Sequence, residues 1–269
     1  MGSHNAEGTI DQVLSGEASW CVVCGDALEI VRANPLHGVD AVVTDPPYAS
    51  GARTEATKQQ REDGMLRGAR WSNRPIDTDQ MTTTGFVWLV REVATALRPC
   101  LVDGGGFFSF IDWRQWPNLV GAVESADYRI NKMIVWDKET FGMGNGFRNQ
   151  HELVLFASKG VPNIAAADTP DVLRFRREDN QWHPSPKPVP LMEALLRVPV
   201  KRGGLVVDPF CGAGSTLVAA RRLGIRAIGF EVNEEHARTA RDRIRADETS
   251  SSIEAARAGQ TALFGGQHG

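Results

Sequence analysis

The stretch Val39-Asp40-Ala41-Val42-Val43-Thr44-Asp45-Pro46-Pro47-Tyr48 constrains the fold more than any other part of the chain. Its Val-rich start suits a strand buried on both faces, as in a parallel sheet. Two prolines then stop the strand. Each fixes its own φ and disfavours helix at the residue before it, so Asp45 and Pro46 are held extended. A stiff loop results at a strand's end, with a carboxylate, proline carbonyls and an aromatic ring. That set suits a flat heterocycle bearing an exocyclic amine. The Asp45 carboxylate and the Pro46 carbonyl each accept one amine N–H, and the ring of Tyr48 stacks on the heterocycle. The plainer alternative is a strand that stops at a Pro-Pro turn with a solvated aspartate.

A second strand, Gly203–Asp208, runs into Pro209-Phe-Cys-Gly-Ala-Gly-Ser215 and then a helix over Thr216–Leu223. Gly212 and Gly214 let backbone approach a ligand closely, and the new helix offers free N–H groups there. The next strand, Arg226–Glu231, ends in an acid placed to accept both hydroxyls of a ribose. A nucleoside-bearing cofactor is therefore expected. Leu217 stands where a dinucleotide fingerprint needs a third Gly or Ala. That counts against a nicotinamide dehydrogenase and favours a cofactor without a pyrophosphate, such as S-adenosylmethionine. If the strands at 39–44 and 205–208 are neighbours, both loops open onto one crevice at the carboxyl ends of the sheet.

The remaining pattern alternates. Strands are expected at Ser19–Gly25, Phe107–Ile111, Arg129–Asp137 and Glu152–Ser158. Helices are expected at Ala27–Ala33, from Thr82 to Leu97, and at Trp113–Ala126, Lys187–Val198 and Glu234–Arg245. This is the order of one doubly wound α/β domain. Residues 1–18 read as a loose N-terminus and 247–269 as a flexible tail. Residues 49–80 and 160–186 lack a clear period.

The net charge of −3 gives no global positive field, so any surface for nucleic acid must be local. Cys21 and Cys24 have the spacing of half a zinc site, but no second pair follows and a strand points them to opposite faces. They read as buried thiols of a reducing compartment, and no metal is expected. There is no apolar run of membrane-spanning length and no leader pattern, which places the chain in the cytoplasm without a membrane partner.

Together these motifs resemble the amino-group DNA methyltransferases that use S-adenosylmethionine. The Asp45–Tyr48 loop precedes the Phe210–Gly214 loop, as in the beta class. Gly25-Asp26-Ala27 is similar to that family's adenine-contacting turn. Ile134–Lys138 through Phe147–Glu152 is similar to its central segment, and His183-Pro-Ser-Pro-Lys-Pro188 to its motif ahead of the cofactor strand.

The resemblance implies a Rossmann-like methyltransferase fold: a doubly wound, mostly parallel sheet with an antiparallel strand pair at one edge. This domain would span 19–246, with recognition insertions near 49–80 and 160–182. It implies methyl transfer to adenine N6 in double-stranded DNA by base flipping, carried by Asp45, Pro46, Pro47 and Tyr48. Asp before Pro-Pro favours adenine N6; cytosine N4, or an RNA substrate, is the alternative. Asp26 and Ala27 would meet the cofactor's adenine and Glu231 its ribose. Asp208, Phe210, Gly212 and Gly214 would frame its methionine part, with Lys187 near that end. Asp45, Pro209, Ser215, Thr216 and Val232 complete the cofactor set. Arg53, Arg67, Arg70, Arg74, Arg148 and Arg174 would contact DNA phosphates. Members of the class are often dimers, so a homodimer is expected. Gln260-Thr-Ala-Leu-Phe264 resembles the peptide by which bacterial replication proteins bind the sliding clamp; an incidental apolar pair is the alternative.

Overall fold

The computed structural model describes residues 7–48, 81–142, 146–177 and 186–249. Among these, eight strands form one mixed sheet. They are β1 (Trp20–Cys24), β2 (Val39–Thr44), β3 (Leu101–Ile111), β4 (Arg129–Asp137), β5 (His151–Ser158), β6 (Val172–Arg174), β7 (Leu205–Asp208) and β8 (Arg226–Glu231). Their order across the sheet is β1-β8-β7-β2-β3-β5-β4-β6. The first five are parallel, while β5 runs against both β3 and β4. The expected antiparallel pair is therefore β4–β5, with the short β6 added parallel outside it.

Among the described residues, seven α-helices cover the sheet: α1 (Ile10–Ser15), α2 (Ala27–Ala33), α3 (Thr83–Leu97), α4 (Trp116–Ser125), α5 (Val189–Leu196), α6 (Ser215–Arg222) and α7 (Glu234–Thr249). Residues of α1–α4 share one core with Val39, Val42 and Val207. Residues of α5–α7 share the other with Ala41, Val43 and Val206. The alternation along β2 and β7 thus feeds both cores, which is why these strands read as continuous apolar runs.

β2 and β7 are direct neighbours, with Ala41 opposite Val206 and Val42 opposite Val207. From β2 the chain continues on one side to β3, and from β7 on the other side to β8. This is the switch point, where a doubly wound sheet opens a crevice beyond its strand ends. Asp40, the one charged residue inside β2, accepts a hydrogen bond from the Leu205 N–H at 2.8 Å and ties the two strands at their starts.

Several expectations need correction. The N-terminal stretch is not loose throughout: α1 has a capping box between Thr9 and Gln12, and Val13 is fully buried. Arg226 donates to the carbonyls of Val13 and Leu14 and fastens α1 to β8. β3 begins at Leu101 and takes in Gly104–Gly106, because the 159–163 backbone passes there; a Cβ on Gly104 would lie 2.6 Å from the Val161 oxygen. β6 lies within 160–186, too short to show a period. Finally, α7 runs on to Thr249, held by Arg221 and Arg222 on Asp247 and by Trp20 on Glu248. Cys21 is buried, but Cys24 is exposed. No helix among the described residues is long and apolar enough to cross a membrane.

Candidate active site

At the end of β2, Asp45 is engaged through both carboxylate oxygens. The Tyr48 hydroxyl donates to Oδ1 at 2.5 Å, and the Lys187 ammonium bonds Oδ2. Lys187 stands just ahead of α5 and also lies 3.6 Å from Oε2 of Glu152, on β5. The Tyr48 hydroxyl reaches the same Oε2 at 3.4 Å. On its other side, Glu152 accepts from Lys138, just past β4, at 2.7 Å. Lys187 sits 5.0 Å from the ring centre of Phe110 and 5.6 Å from that of Tyr48. Two ammoniums and two carboxylates therefore balance one another, drawn from the ends of β2 and β4, from β5 and from the approach to α5, with Arg177 3.6 Å from Glu152 Oε1.

Burial would push the Glu152 carboxyl up, but Lys187 and Lys138 outweigh it and hold it at about 2. Burial pulls Lys187 down, and Asp45 and Glu152 reverse the sign, so it stays protonated above the usual lysine range. The Tyr48 phenol is pushed well up by burial and then by Asp45 and Glu152, so it remains a donor.

The second half of the site is the turn after β7. Asp208 is buried; its carboxylate accepts from the Phe210 N–H at 3.1 Å and from the Thr216 hydroxyl. Burial raises this carboxyl to about 7, Thr216 and Phe210 oppose the rise, and Asp45 and Glu231 add to it. Glu231, at the end of β8, accepts the Gly212 N–H at 3.0 Å and the Asn233 N–H at 2.9 Å, one on each oxygen. Each oxygen keeps a lone pair for a further donor. Gly214 has φ +78°, and a Cβ there would lie 2.9 Å from the Ala240 methyl carbon. Left-handed backbone and close helix packing both demand glycine at this point.

The sequence-predicted residues come together unevenly. Asp45, Pro46, Pro47 and Tyr48 follow the carboxyl end of β2, with Lys187 bonded to Asp45; Pro209, Phe210, Gly212 and Gly214 follow β7, and Glu231 ends β8. Thr216 and Ser215 face inward: Thr216 is bonded to Asp208, and Ser215 receives Arg243. Asp26 caps α2 through the N–H groups of Leu28 and Glu29, with buried Ala27 opening that helix. Because Cys24 pairs with Glu231, this cap lies at the same sheet end as Glu231. Val232 is exposed just past Glu231. Arg148 is exposed, with its guanidinium 3.9 Å above the Phe141 ring, and Arg174 pairs with Asp137 at 3.7 Å. Arg53, Arg67, Arg70 and Arg74 lie outside the described residues, as do Gln260–Phe264.

Sequence reasoning assigned no role to Lys138 or Glu152. The signal in the sequence was slight: a Lys just past one expected strand and a Glu opening the next. It also overlooked Gly229 in β8, where a Cβ would come within 2.9 Å of both Cys211 and Leu217 and push the turn off the sheet.

With this geometry in hand, comparison with known proteins is direct. The N6_N4_Mtase family, described as DNA methylase, matches residues 39–242. The chain belongs to that DNA methylase family. YubD of Escherichia coli (strain K12) is 28% identical over 222 residues, 82% of this chain and 88% of that protein. Among solved structures, the M1.HpyAVI–SAM complex superposes with TM-score 0.63 at 21% identity, covering 84% of this chain and 99% of the other. The cytosine-N4-specific PvuII DNA methyltransferase superposes with TM-score 0.68 at 17% identity, covering 90% and 91%. Both share the fold described above.

Proposed function

We propose that the chain transfers a methyl group from S-adenosylmethionine to the N6 amine of an adenine flipped out of double-stranded DNA. The observation that carries this reading is the pairing of β2 with β7, which sets the Asp45 loop and the glycine turn at one switch point. The donor set suits such a cofactor. Glu231 keeps lone pairs for a ribose diol, Asp208 offers negative charge to a sulfonium, and Lys187 offers an ammonium to a carboxylate. The cofactor, when bound, supplies a methyl group activated by that sulfonium.

The protein's part is to prepare the amine. An adenine amine is a weak nucleophile because its lone pair is delocalised into the ring. Asp45 and the Pro46 carbonyl accept its two N–H groups, draw the nitrogen toward tetrahedral geometry and aim its lone pair. Positioning of this kind supplies much of the rate in a displacement. The same acceptors stabilise the positive charge that develops on nitrogen. Extruding the base costs a few kcal/mol of stacking, which the Tyr48 ring offsets in part. Arg148 and Arg174 are the described residues assigned to phosphates.

The preference for adenine rests on Asp, rather than Ser, ahead of Pro46-Pro47. The test is nucleoside analysis by mass spectrometry after incubating duplex DNA with enzyme and donor. N6-methyladenine is the expected product. N4-methylcytosine would overturn the base assignment alone, and no methylated base in DNA would overturn the reading.

A further inference from the structure

We propose that Glu152 is a positioning residue that shares Lys187 with Asp45, so that an oxygen of Asp45 can be released to the substrate amine. This rests on the methyl-transfer reading above. Both oxygens of Asp45 are taken in the structure, one by Tyr48 and one by Lys187. Each oxygen keeps a lone pair, but an amine that enters beside these donors shares the carboxylate's charge with them, and it is held most strongly when one of them turns aside. Glu152 gives both a place to turn to: its Oε2 lies 3.6 Å from the Lys187 ammonium and 3.4 Å from the Tyr48 hydroxyl.

Lys138 completes the device by bonding Oε1 at 2.7 Å. It holds the Glu152 carboxylate in place and balances its charge, so that Glu152 competes for Lys187 without capturing it. All three side chains are largely withdrawn from water, with 6%, 12% and 8% of their surface exposed for Lys138, Glu152 and Lys187. Ion pairs this dry are weakly screened, and losing one partner is felt strongly by those that remain. Arg177, 3.6 Å from Oε1, is the one further described cation paired with Glu152, and it sits at the exposed rim.

Glu152→Gln keeps the shape and removes the charge. Lys187 is then left to Asp45 alone and grips it, so turnover is expected to fall at least about tenfold at neutral pH. Donor affinity should stay within about threefold. Lys187 also loses one of the two carboxylates that keep it protonated; since its ammonium is what meets the donor's carboxylate, the alkaline limb of turnover moves to lower pH. A merely structural role would lower turnover only in proportion to the folded fraction and leave the limb in place. That outcome, or wild-type turnover with a wild-type pH profile, would overturn the inference.

Lys138→Gln provides the independent arm if E152Q does not fold. It frees Glu152 to hold Lys187 more firmly, so the limb should move to no lower pH than in the wild type. A downward shift contradicts the inference. Asp45→Ala run alongside separates the two levels. If it is inactive while E152Q is normal, only the role of Glu152 fails; if it is active, the methyl-transfer reading itself fails.

Discussion

The carboxyl of Asp208 titrates at about 7 because it is buried, with Asp45 and Glu231 adding repulsion that Thr216 and the Phe210 N–H only partly offset. Such a group responds to any cation placed beside it. Below about pH 7 it is largely neutral and offers little to a sulfonium; above, it is a full carboxylate. By linkage, a cationic donor should bind more tightly as pH rises through this window, by up to about tenfold per unit below the titration point. Asp208→Asn should flatten that dependence. Titration calorimetry between pH 6 and 8 in buffers of different ionisation enthalpy checks this, since wild-type binding should release a proton at the lower pH. Equal pH dependence in D208N would move the effect to another group.

At the scale of elements, the turn from β7 into α6 is held by glycine in two separate ways. Gly214 has the left-handed φ of +78° and lies against Ala240 of α7. Gly214→Val should cost about 1–2 kcal/mol for the backbone and roughly 1–3 kcal/mol more for the clash. Urea unfolding checks this as a lowered midpoint, accompanied by weaker donor binding as the turn shifts. Local chemistry of this kind was legible in the sequence. Gly212, Gly214 and Pro46-Pro47 announce their own backbone, and α2, β2 and β8 fall on their expected bounds. What was not legible depends on partners remote in sequence. The glycines ahead of Phe107 were expected to lead into the strand and instead belong to it, where the 159–163 segment crosses. The last residues of α7 looked like tail and are helical because Arg221, Arg222 and Trp20 reach them. Glu152 and Lys138 became visible as a pair only when β4 and β5 were laid side by side.

For the whole molecule, everything follows from which strands lie at the centre. Val39–Thr44 and Leu205–Asp208 are far apart in the chain, yet each is buried on both faces, and the parallel order makes them neighbours. That adjacency brings a loop suited to an amine beside a turn suited to a nucleoside. The sequence motifs could name the two loops, but adjacency is a property of the sheet. If one crevice serves both, removing the amine acceptor must stop chemistry without evicting the donor. The most direct measurement is therefore Asp45→Ala, with S-adenosylmethionine affinity and methyl transfer to duplex DNA measured on the same preparation. Donor affinity is predicted to stay within about threefold while turnover falls by about a hundredfold to a thousandfold, the scale of losing a preorganised transition-state contact. Turnover near that of the wild type would contradict the account.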